Sequence, residues 1–186
     1  ISLTVALLFA CQRHSKKTDM AVNEKCKVYN NSAMSLFTKE GMDSGKAAKV
    51  LHLLNMAIAC DPNYYGAYYN KLAVLESRRR YLEALPVIEK MAIISKHDPI
   101  TMLMKADLLK TLHRANQAEN VLHAAYVEST EKTKRFPDSI ELKAQQIYFS
   151  AFIKGKVQAK DRIDSLIKAY PNNGKLTVFA DRIEEE

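Results

Sequence analysis

Apolar residues return along this chain in triplets. Val50, Leu54 and Ala57 are spaced i, i+4, i+7, as are Ala84, Ile88 and Met91, and then Ala118, Leu122 and Ala125. That spacing lays each triplet along one face of an α-helix. The step from Val50 to Ala84 equals the step from Ala84 to Ala118, and Met34, Tyr68 and Met102 keep it ahead of them. Each repeating unit is therefore expected to hold two helices. A fourth set, Ala159, Ile163 and Leu166 with Pro171 behind it, arrives late, because the step from Ala118 to Ala159 is longer. The surplus of seven is close to two helical turns. Residues 121–136 are expected to absorb it as a longer second helix without rotating the apolar face. After the last Pro, "GKLTVFADRIEEE" reads as a final short helix with a polar, solvating end.

Three stretches carry more than the period. "AYYNKLA" (67–73) is similar to the first-helix pattern A-W-Y-N-L-G, with Tyr68 at the Trp position, Lys71 as an extra residue and no Trp anywhere in the chain. "YLEAL" (81–85) is similar to the second-helix start Y-x-E-A-I, and "ACDPN" (59–63) to a repeat-closing A-L-x-x-D-P-N. With the period, these resemble the tetratricopeptide repeat (TPR) family. The resemblance covers about 150 residues. It implies an all-α fold, a right-handed superhelical stack of antiparallel helix hairpins. Residues 23–186 would form about four hairpins and a C-terminal capping helix. It also implies a concave face built mainly by first helices, which binds a protein partner. The matching positions are Lys39, Tyr69, Asn70, Glu76, Asp107, Lys110 and Tyr148. Asn70 matches one position of the members that clamp a terminal carboxylate, but the full set of five is not here.

Composition agrees with helices. The chain has five Gly, five Pro and no Val/Ile/Thr alternation between tight turns. Pro86 falls early in a predicted helix, which is expected to start near Leu82 so that the ring lies in the first turn. The turn of the first hairpin is expected between Gly41 and Gly45; that of the second lacks Gly. The formal charge of +7 permits acidic partners, but no basic run is interleaved with aromatics, and the longest is Arg78-Arg79-Arg80. Nucleic acid is therefore not the expected partner.

The N-terminus has its own pattern. Residues 1–10, ISLTVALLFA, are uncharged and too few to span a bilayer. They read as the apolar core of a partial signal peptide. Leu8-Phe9-Ala10-Cys11 resembles the bacterial lipobox, which implies lipidation of Cys11, and residues 11–22 read as a polar tether. Gln12 resembles the outer-membrane sorting pattern. The implied place is the periplasmic side of the bacterial outer membrane, with membrane contact through the lipid.

Two cysteines remain. Cys26 lies near the start of one predicted helix and Cys60 at the end of its partner, so antiparallel packing brings them close. They are a candidate disulfide in an oxidising compartment; the alternative is two small buried apolar side chains. No phosphate-cradling Gly loop, His-rich metal motif or nucleophile elbow is present. His52 and His123 read as surface or structural, and no cofactor or metal is expected. The sequence points to a lipid-anchored adaptor rather than an enzyme. Its rivals are a soluble adaptor, with ISLTVALLFA as ordinary helix, and an envelope enzyme with its site in the groove.

Overall fold

The structure, a computed structural model, describes residues 22–37 and 44–185. Among them are nine helices and no strand: α1 Glu24–Phe37, α2 Ser44–Cys60, α3 Tyr65–Ser77, α4 Tyr81–Ile94, α5 Pro99–Thr111, α6 Ala115–Arg135, α7 Ile140–Lys154, α8 Lys156–Ala169 and α9 Lys175–Glu185. The chain divides after His97 into two compact units, one holding α1–α4 and the other α5–α9.

All nine residues of the three apolar triplets are buried, from Val50 through Ala125, and so are Ala159 and Ile163. Each lies on a second helix. In the first unit α2 packs against α1 and α3, α3 packs against α4, and α1 also reaches α3. In the second, α6 lies between α5 and α7, while α9 packs on both α8 and α7. Burying a Leu- or Ile-sized side chain contributes about 1.5–3 kcal/mol. The core of each unit is thus a series of such contacts between neighbouring helices. The insertion falls where the spacing predicts: α4 has 14 residues and α6 has 21. Its extra turns meet α7 where the Thr133 hydroxyl, 2.8 Å from the Ser129 carbonyl of its own helix, also lies 3.2 Å from that of Leu142.

The repeat step fails at one place. Tyr68 and Met102 each stand fourth in their helix, α3 and α5, and both are buried. Met34 sits near the end of α1 and is only half-buried. The starts of α3 and α5, Tyr65 and Pro99, keep the step, but α1 already begins at Glu24, so the first hairpin is out of phase with the next two. The turn expected near Gly41 falls outside the described residues, while Gly45 lies inside α2. Pro86 is likewise deeper than expected, because α4 starts at Tyr81. Pro86 and Leu82, four residues before it, are both exposed, so water can reach the carbonyl that the ring leaves without its amide.

The helix ends have local causes. Asp98 caps α5 by accepting from the Thr101 amide at 3.3 Å, with Pro99 in the first turn, and Ser139 caps α7 by accepting from the Leu142 amide at 3.3 Å. At the end of α3 the Arg79 amide bonds to the Glu76 carbonyl, and the Arg80 amide reaches back to Leu75, both at 2.9 Å. At the end of α5, His113 and Arg114 repeat the pattern onto Lys110 and Leu109, again at 2.9 Å. These paired bonds are Schellman closures, which place their C′ residue in the left-handed region.

Candidate functional site

The predicted groove residues divide between the two units. Lys39 lies outside the described residues, as do Cys11 and residues 1–21. Tyr69, Asn70 and Glu76 are on α3, Asp107 and Lys110 on α5, and Tyr148 on α7. All six are therefore on first helices of their hairpins.

In the first unit, Tyr69, Asn70 and Glu76 are half-buried. The Asn70 amide donates to Oδ1 of Asn30 on α1 at 2.8 Å, and Asn30 is buried. This bond joins consecutive first helices and uses one of the two N–H donors of the Asn70 amide. Asn30 had no distinguishing mark in the sequence. Beside Asn70, Lys71 donates to Asn55 of α2 at 2.8 Å. Burial pulls its ammonium below the usual lysine range, partly offset by the charge of Glu83. Glu83 takes two bonds from the Arg80 guanidinium, at 2.7 and 2.6 Å.

Cys26 and Cys60 lie where α1 starts and α2 ends. They are joined by a disulfide, with their Cα atoms 5.4 Å apart. Cys26 is fully buried beside Val22, Ala57, Tyr64 and Ala67, with Tyr29 and Ile58 packed around them. Val22, read from sequence as the last residue of the tether, already belongs to this core. Gly66 serves the same corner: a Cβ there would meet the Tyr64 ring at 3.0 Å.

In the second unit, Lys110 is exposed and Asp107 half-buried. Tyr148 is buried, which departs from its expected place on the groove surface. Its ring meets Phe149 at 5.5 Å, Phe152 at 5.4 Å and Phe179 of α9 at 6.1 Å, the first two edge-on. Phe152, one turn further along α7, is left partly exposed, as is Phe179. The Lys110 ammonium lies 5.2 Å above the Phe152 ring. Burying Tyr148 follows from the docking of α9, which adds Phe179 to the cluster; its i+4 neighbour Phe152 was the available signal.

Among the described residues, no three His, Cys, Asp or Glu side chains are grouped to hold a metal ion. His52 and His123 are exposed. No helix among those residues is long and apolar enough to cross a membrane.

The geometry can be set beside known structures. A tetratricopeptide repeat protein from Parabacteroides merdae superposes with a TM-score of 0.51 at 13% identity, over 87% of this chain and 60% of its own. The fold is that of a TPR protein. YrrB, described as a TPR protein with an unusual peptide-binding site, gives 0.44 at 18% identity over 83% of this chain and 74% of its own. MamA from Desulfovibrio magneticus RS-1 gives 0.48 at 15% identity over 89% and 90%. No protein-family model matches the sequence, and neither does any curated protein. The TPR-like hairpins thus place Lys110 and Phe152 on first helices, while the exposed Val157 belongs to the second helix α8.

Proposed function

We propose that this protein is a TPR-like adaptor that recognises a protein partner through its first helices. The supporting observation is the Lys110–Phe152 pair, a charged and an aromatic side chain from successive first helices held 5.2 Å apart. Such a pair offers one apolar plane and one cation on adjacent first helices, which suits a segment presenting an apolar and a polar residue in turn. The Tyr148 cluster beneath fixes Phe152 in place, so little ordering cost remains at binding.

We further propose that the adaptor is lipid-anchored at Cys11 and faces the periplasm from the bacterial outer membrane. What supports this reading is the stretch "ALLFACQRHS", an apolar core, a small residue, a Cys and a polar leader in that order. A disulfide between Cys26 and Cys60 suits an oxidising compartment. The partner is then an envelope protein, and no chemistry is assigned to the groove.

Two experiments test the two parts. Cells producing the protein and its Cys11→Ser variant are fed a clickable fatty acid. The account expects label on the first and none on the second; equal label overturns the anchor. A pull-down from solubilised membranes then compares the protein with Lys110→Ala/Phe152→Ala. Loss of the same specific band in the double variant is expected, and its retention contradicts the first-helix site.

A further inference from the structure

A second cluster lies away from Phe152, where α6 and α8 flank α7. Gln146 of α7 bridges the three helices. Its amide nitrogen lies 3.4 Å from Thr130 of α6, and its oxygen accepts from the Arg162 guanidinium of α8 at 3.2 Å. Lys154, at the end of α7, places its ammonium 5.6 Å from the centre of the Tyr126 ring on α6. Neither Lys154 nor Arg162 makes an ion pair among the described residues. The carboxylates beside Arg162 in sequence, Asp161 and Asp164, act on Lys160 instead.

Lys154 thus lies over the Tyr126 ring, and Arg162 reaches the same corner through Gln146 and Thr130. The Tyr126 phenol reports their field. It is held below the usual tyrosine value, first by a hydrogen bond from Lys154, with burial opposing, and then by the charge of Lys154, a hydrogen bond with Thr130 and, least, the charge of Arg162. A place that favours a phenolate favours other oxyanions for the same reason.

We propose that Lys154, Arg162 and Tyr126 form a binding site for a phosphate-type oxyanion. The donors come from three helices and so from three directions. The guanidinium spends one N–H on Gln146 and keeps the rest of its fork. A planar carboxylate offers two oxygens in one plane; a tetrahedral phosphate group offers oxygens to all three sides, and charge-assisted bonds to it are the strong kind. The proposal does not depend on the adaptor reading. The phosphate group comes either free in solution or on a lipid headgroup.

The full chain, isotopically labelled, is titrated with inorganic phosphate against sodium chloride at matched ionic strength and followed by NMR. The expected result is a saturable shift centred on Tyr126, Gln146, Lys154 and Arg162. Arg162→Gln weakens it about tenfold or more, Lys154→Met does likewise while keeping the apolar stem, and Arg162→Lys retains part of it. Thermal melts confirm that each variant is folded, and Lys154→Met carries the test if Arg162→Gln is not. In a second arm, vesicles of phosphatidylglycerol in phosphatidylcholine are sedimented with the same proteins. Arg162-dependent sedimentation assigns the headgroup; solution binding without it assigns the free ion. A shift that chloride reproduces, a shift unchanged in the variants, or no binding in either arm overturns the site.

Discussion

Arg79 and His113 stand one repeat apart and share one backbone conformation, φ 56° and 58°. Each closes the first helix of its hairpin, and each is a side-chain-bearing residue where glycine is the unstrained choice. The left-handed region costs a non-glycine residue about 1–2 kcal/mol. We expect His113→Gly and Arg79→Gly each to raise stability by about 0.5–1 kcal/mol, the gain reduced by the extra freedom of glycine in the unfolded chain. Urea denaturation checks this as a rise in midpoint. His113→Val is expected to lower it.

The repeat predicts equivalent costs at equivalent positions. Leu54, Ile88 and Leu122 occupy the central place of their triplets and are all buried. Truncating any of them to Ala is expected to cost about 2–5 kcal/mol by lost transfer energy and an unfilled cavity. Chemical denaturation of the three variants should show three large losses. A near-neutral value at one of them would put that residue outside the core.

The Cys26–Cys60 bridge closes a loop of sequence separation 34. Constraining a loop of that size is worth up to about 4 kcal/mol through the unfolded chain. Reduction, or Cys60→Ser with Cys26→Ala, is expected to lower the melting temperature. The first unit should then show faster hydrogen exchange than the second. Non-reducing mass spectrometry of the native protein should find the bond before reduction and two free thiols after it.

Two tyrosines should ionise out of order. Burial, helped by the charge of Asp61, pushes the Tyr68 phenol above its ordinary value, while Lys154 pulls Tyr126 below it. In an alkaline titration followed by tyrosine ring carbon shifts, Tyr126 should deprotonate first and Tyr68 well after it. In Lys154→Met the Tyr126 midpoint should move up and Tyr68 should stay.

Acid should weaken the fold gently. Glu83, Glu131 and Glu184 are each held below the usual glutamate value, by hydrogen bonds from Arg80, Lys134 and Lys160 respectively. Their depressed values mean that the contribution is present above the unfolded value and lost as pH falls through the folded one. All three are solvent-exposed, so the effect is screened. Melting temperatures should fall modestly between neutral pH and pH below the glutamate range, and less so at high salt.

The second helices were legible because their apolar triplets recur without interruption, and a buried face leaves a period in the sequence whatever the surface does. The longer α6 was legible for the same reason. The phase of α1 was not: Met34 keeps the numerical step of Tyr68 and Met102 but stands at the other end of its helix. The basic run at Arg78-Arg79-Arg80 reads as a solvated turn, but the left-handed form of Arg79, like that of His113, was hidden because polar residues take a backbone form that glycine would have announced. The Asn30–Asn70 bond joins two helices, and the convergence of Tyr126, Gln146, Lys154 and Arg162 joins three, with no motif to flag either. Tyr148 was assigned to the surface by its place in a first helix, whereas the docking of α9 buries it.

The central claim is that partner recognition belongs to the first helices. Its most direct measurement is site-specific photo-crosslinking in living cells, with the reactive residue at position 152 on α7 or at position 157 on α8. The account predicts one discrete, reproducible crosslinked species from position 152, lost with Lys110→Ala, and none from position 157. The same species from position 157 with nothing from position 152 would contradict it.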